Sequence, residues 1–189
     1  MFKGHPRFVS EYLNDKDAEE TSNARGIGGG MLVAGWVMAL GLITLLFNGW
    51  FDRQYNPNTD PVVETVGGNQ AQVRLDANRA GHYVASGTIN EVPAVFLVDT
   101  GATALAIPGD LAADYKLIPG EKITMHTANG PAVGYVTTLD RVQIGNIVQR
   151  NIEAVIAPTF TGNEILLGMS FLKHLDIEQT ARQLTLRTR

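Results

Sequence analysis

Apolar positions along this chain follow two different periods. Residues 27–47 carry no charge, and within "MLVAGWVMALGLITLLF" (Met31 to Phe47) no polar face recurs at helical spacing. A helix over that stretch rises about 31 Å, enough to cross a bilayer core of roughly 30 Å. Trp50 and Phe51 follow where aromatic rings favour the headgroup region. The pattern predicts a transmembrane helix over 26–51. From Ala71 the period changes to two. "AQVRLDA" alternates, and "GHYVASGTINEVPAVFLV" reads as two strands around a turn at Asn90-Glu91. "KITMHTANGPAVGYVTTLDRVQIG" reads as a strand, a turn and a strand, with a second turn at Gly145-Asn146. "IEAVIAP", "NEILLG" and "QLTLRT" add strands, while "IPGDLAADYK" and "MSFLKHL" add two short helices. Many short strands at close spacing predict a mainly β domain, a closed or nearly closed barrel, over 71–189. That is enough chain to bury a core without staples.

The remaining stretches have neither period. "RQYNPNTDPVVETVGGNQ" (Arg53 to Gln70) contains Pro57, Pro61 and the Gly67-Gly68 pair, so 52–70 reads as a linker. Residues 1–25 are polar, include the charge run "NDKDAEE", and read as a solvated tail. Lys3, Arg7, Lys16 and Arg25 precede the apolar run, whereas Arg53 stands alone among Lys and Arg in residues 48–67. The positive-inside rule then keeps the N-terminus cytoplasmic. The segment before the run is long and mixed in charge, and no A-x-A-like site follows Phe47. The run therefore reads as a single-pass signal anchor in the inner membrane, with the β domain periplasmic or otherwise extracytoplasmic.

Composition mainly removes possibilities. The chain has no cysteine, which excludes disulfides and thiolate metal sites. Its net charge of −4 provides no basic stripe, so no nucleic-acid partner is expected. His5, His82, His126 and His174 lie outside H-E-x-x-H or H-x-x-x-H spacing, so no metal is expected. "RGIGGGML" is glycine-rich but runs into the apolar stretch instead of following a strand, so it does not read as a nucleotide loop. No cofactor is expected.

Candidate chemistry gathers in "VFLVDTGATALAIP" (Val95 to Pro108). Its strand is expected to be buried up to Asp99, where an isolated charge costs several kcal/mol unless hydrogen-bonded or protonated. Gly101 permits a tight turn whose N–H groups reach the carboxylate, and Thr100 adds a hydroxyl. Small side chains at Ala102, Ala104 and Ala106 let another backbone approach. By themselves these residues are equally compatible with an Asp that caps its own turn. Metal-free peptide hydrolysis asks for more than one carboxylate: a base for water and an acid for the carbonyl. Two adjacent carboxyl groups sharing one proton supply both. No second D-[ST]-G exists, since Asp110, Asp114, Asp140 and Asp176 stand in other contexts. A second copy of the chain, related by a twofold axis, would supply the missing carboxyl.

"VDTGAT" after an apolar run, followed later by "ILLGMSFL", resembles the retropepsin-like (clan AA) aspartic proteases, especially the bacterial membrane-anchored members with a single D-T-G. The likeness covers 71–189. It implies a retropepsin-like barrel and an aspartic endopeptidase acting as a homodimer on protein or peptide substrates, without a cofactor. Asp99 would be the catalytic carboxylate. Thr100 would bond across the twofold, Gly101 would keep the loop tight, and Ala102 and Thr103 would complete the motif. Ile165, Leu166, Leu167 and Gly168 would pack behind this loop as structural support. His126, Thr127, Ala128, Asn129 and Gly130 would form a flap over extended substrate, and Leu105, Ile107 and Val133 are candidate pocket walls. Met169 stands where retroviral members have Arg, so an Arg-based dimer contact is missing. Two other readings keep the same fold: a module that captures peptides without cutting them, and an envelope-assembly protein whose β domain dimerises.

Overall fold

The computed structural model of the chain describes residues 30–47, 50, 53–68, 70–127 and 130–189. Gly30–Phe47 is a continuous helix, α1, with a mean hydropathy of 2.2 and no part buried inside the protein. Its length and composition suffice to cross a membrane. The chain divides into two compact units, Met1–Trp50 and Phe51–Arg189.

The second unit is built almost entirely of strands. β1 (Val62–Val66) pairs antiparallel with β2 (Gln70–Asp76), in the register Val63↔Val73. In β2 the alternation buries Val73 and Leu75 completely while Arg74 reaches Glu64 on β1 at 2.8 Å. Stretch 52–70, expected to be a linker, therefore contributes a strand, and Asn56 and Asn58 within it are buried. The proline-and-asparagine composition of a tether here serves a backbone held by side-chain amides. β3 (Val84–Ile89) and β4 (Val92–Val98) form the expected hairpin. Asn90 and Glu91 both have positive φ, 49° and 71°, the pair of left-handed residues that a type I′ turn requires. β5 (Leu105–Pro108) leads into a single 3₁₀ turn, Gly109–Leu111, so the helix expected over "IPGDLAADYK" is reduced to that turn. β6 (Lys122–Thr127), β7 (Gly130–Ile144) and β8 (Ile147–Ala157) follow as antiparallel neighbours, with Gly145 in the β7–β8 turn at φ 55°. β9 (Glu164–Leu167), the short helix α2 (Met169–Leu172), β10 (Leu175–Thr180) and β11 (Gln183–Thr188) complete the chain. Only Leu175 of β10 is buried, while Ile177, its next apolar position, is exposed.

One sheet orders its strands β3-β4-β9-β5-β8-β7-β6 and closes through an added β3–β7 pairing. Closure depends on Gly87: a Cβ there would lie 2.2 Å from the Gln143 carbonyl oxygen and 2.9 Å from the Phe96 ring. The second sheet, β1-β2-β11-β10, is antiparallel throughout. Phe96, Ile165, Leu167, Phe171 and Leu172 are fully buried in the core. Each large side chain there contributes roughly 1.5–3 kcal/mol by leaving water.

Candidate active site

β9 is threaded between the two strands that flank the D-T-G loop. It runs parallel to β4, pairing Phe96↔Ile165 and Val98↔Leu167, and meets β5 on its other side at Ala106↔Leu166. The loop 99–104 must therefore cross over the end of β9. Asp99 is the first residue beyond β4, and its N–H donates to the Leu167 carbonyl at 3.2 Å. Its carboxylate Oδ1 accepts the Gly101 N–H at 2.8 Å, and its carbonyl accepts the Ala102 N–H at 3.3 Å. Asp99 is half-buried, while Thr100, Gly101 and Thr103 are exposed. The strand is thus less dry than expected: Ala94 and Phe96 are buried, but Val95, Leu97 and Val98 are only half-buried. This placement lets an ionised carboxylate keep water on one side and a backbone donor on the other, lowering its cost relative to full burial.

Gly168 ends β9 where the loop passes closest. A Cβ at this position would come within 2.2 Å of the Ala104 carbonyl oxygen and 2.8 Å of that of Ala102. The next residues fasten the loop: Met169 N–H donates to Ala102 at 2.8 Å and Ser170 N–H to Thr103 at 3.0 Å. The buried Ser170 Oγ accepts the Leu105 N–H at 2.9 Å. Sequence reasoning missed Ser170, because its partner Leu105 lies far away in the chain. Asp99, Thr100 to Thr103 and Ile165 to Gly168 therefore meet in one crossing, with Ile165, Leu167 and Gly168 buried and Leu166 half-buried.

His126, Thr127 and Gly130 lie elsewhere, on the β6–β7 ribbon. His126 pairs with Pro131 and Thr127 with Gly130, whose φ is 105°. Thr127 Oγ1 donates to the Gly130 carbonyl at 2.7 Å. Ala128 and Asn129 lie outside the described residues. Leu105 and Ile107 are completely buried and belong to the core, so they are not pocket walls. Alternation placed them on an inward face, but inside a closed barrel that face packs against other side chains. Val133 is 37% exposed. Among the described residues no group of three His, Asp or Glu side chains gathers to hold a metal ion. At the other end of β9, burial pushes the Glu164 carboxyl above its ordinary value. Burial and then the charge of Asp114 raise the Tyr115 phenol, whose hydroxyl donates to the Pro93 carbonyl at 3.1 Å.

Residues 85–174 match the model of a family described as "gag-polyprotein putative aspartyl protease". A protein of Sinorhizobium sp., described as an uncharacterized protein in the cobV 5′ region, is 35% identical over 113 residues. The match takes in 58% of this chain and 48% of that protein, so the chain spans about half the relative's length. Among solved structures, a retropepsin-like aspartic protease from Rickettsia conorii superposes with a TM-score of 0.54 and 27% identity, covering 68% of this chain and 96% of that one. The protease of EIAV, solved with the inhibitor HBY-793, aligns more loosely, at a TM-score of 0.40 and 18% identity over 48% of this chain and 84% of that one.

Proposed function

We propose, on the premise that this chain belongs to the retropepsin-like aspartic proteases, that it is a membrane-anchored endopeptidase whose dyad is formed by Asp99 of two identical subunits. The observation that carries the reading is the fixed carboxylate of Asp99, held by the Gly101 N–H where the loop crosses β9, in a chain with no second D-[ST]-G. Two such carboxyls facing each other at about 3 Å cannot both ionise readily, so they share a proton. The ionised one takes a proton from water while the protonated one donates to the scissile carbonyl, and no covalent intermediate forms. The exposed Thr100 hydroxyl is free to reach across the twofold, and Ala102 and Thr103 give the loop its backbone bonds to Met169 and Ser170. The β6–β7 ribbon, with His126, Thr127 and Gly130, serves as the flap that pairs with an extended substrate.

The apolar helix α1 supplies the anchor, with residues 1–25 as a cytoplasmic tail and the β-rich unit outside the cytoplasm. Confining two copies to a membrane plane raises their encounter rate, which compensates for the Arg contact that Met169 does not make. A peptide-library digest with the purified chain tests the reading. Wild type is expected to cleave, and Asp99→Asn to lose cleavage while keeping its thermal transition. Activity retained in that variant would sink the assignment. Peptide binding without cutting at any pH from about 3 to 8 would favour the capture module.

A further inference from the structure

The segment that follows α1 in sequence is stitched to the strand behind the catalytic loop. Asn58 is only 4% exposed and Asn56 7%, yet their amides are well paired. Asn58 Nδ2 donates to the carbonyls of Val84 at 2.6 Å and Asp76 at 2.9 Å, and Oδ1 accepts the Asp76 N–H at 2.7 Å. The Asn58 carbonyl accepts the Ser86 N–H at 3.0 Å, adding a parallel rung beside Ala85 of β3. Asn56 Oδ1 accepts the Asn58 N–H, and its Nδ2 donates to Ser86 Oγ, both at 3.0 Å. Asn78 Nδ2 fixes the Tyr55 carbonyl at 3.1 Å.

The start of β3, which this clasp grips, supports the end of β4. Val84 pairs with Leu97, and the Tyr83 carbonyl accepts the N–H of Val98 at 2.9 Å. Asp99 is the next residue. We infer that Asn58 is a positioning residue for the proposed hydrolysis: by holding the start of β3 it holds the end of β4, and so the direction in which the Asp99 carboxylate faces its partner. The inference rests on the aspartic-protease reading. Its physical basis is that buried amides left without partners are costly, so the clasp has one geometry and passes it to β3. A shared-proton pair is sensitive to such a shift because displacement of the reacting groups by about 1 Å costs orders of magnitude in rate.

The test uses the full-length chain reconstituted in nanodiscs, comparing Asn58→Ala and Asn56→Ala with Ile147→Ala. Ile147 is a fully buried residue at the far end of β8 from its rungs to β5. All are assayed below their melting transitions. Asn58→Ala is expected to lower kcat about tenfold or more with KM within about twofold, because orientation is lost while substrate contacts remain. Asn56→Ala should lose kcat in the same direction by less. Ile147→Ala should lower Tm with kcat unchanged. Wild-type kcat in Asn58→Ala, beside an inactive Asp99→Asn, overturns the positioning role alone. Cleavage that survives Asp99→Asn defeats the protease reading and the inference with it. If Asn58→Ala does not fold, Asn56→Ala decides, and an unchanged kcat there overturns the role.

Discussion

Asp99 and Gly168 show what a single residue contributes to this crossing. Asp99 could be picked out in sequence because its chemistry is local: an apolar strand, a carboxylate, and a glycine two residues on whose N–H bonds it. The need for glycine at 168 is equally physical, since any side chain meets the Ala104 carbonyl. Gly168→Ala is expected to cost about 3 kcal/mol or more, the upper range for overpacking against backbone. It should also abolish cleavage by displacing the 102–105 loop, and thermal unfolding beside a peptide assay reads both effects. Ser170 was not legible, because its bond to Leu105 joins residues 65 apart and nothing local marks it. Glu164 gives a pH-dependent case. Burial raises its carboxyl in the folded state, so this group favours folding most below its unfolded value and loses that contribution as pH rises through the folded one. Glu164→Gln should therefore raise Tm at pH 7 and have little effect near pH 3. An equal rise at both values would remove the burial explanation.

Among the elements, hairpins with two-residue turns were legible and strands lacking an apolar face were not. The Asn90-Glu91 turn could be placed because two alternating runs flank it, although Glu is a poor residue for a position at φ 71°. A non-glycine residue in that region carries roughly 1 kcal/mol of strain. Glu91→Gly should therefore stabilise the protein by somewhat less than that, given the larger unfolded-state entropy of glycine. A Tm higher by about 2–3 °C is expected for a unit of this size, and an unchanged or lower Tm would show the turn to be unstrained. β1 and β10 escaped for a shared reason. As outer strands of the second sheet they expose most of their side chains, so hydrogen bonding defines them and periodicity does not. Residues 53–60 escaped because their order comes from asparagine amides reaching backbone groups of β2 and β3, while the same composition in isolation signals a tether.

For the whole molecule, the mainly β class and a closed or nearly closed barrel could be read from the strand pattern, but which strands meet to close it could not. The β3–β7 pairing joins Thr88 to Gln143, and β9 inserts between strands that sit far earlier in the chain. Both depend on contacts that only the folded chain makes. The proposed dimer is a claim about stoichiometry, and stoichiometry provides its sharpest test. If each active site takes one Asp99 from each of two chains, a heterodimer of wild type with Asp99→Asn holds one carboxyl and one amide. The amide can neither take a proton from water nor donate one as an acid, so the mixed pair is inactive. Co-folding equal amounts of the two chains with random pairing leaves about a quarter of the dimers wild type on both sides. Cleavage per wild-type chain should then fall to about half its unmixed value, and it should fall further as the mutant excess grows. A site complete within one chain would keep that value constant at every ratio, and such a constant would end the shared-dyad mechanism whatever the Asp99→Asn homodimer does.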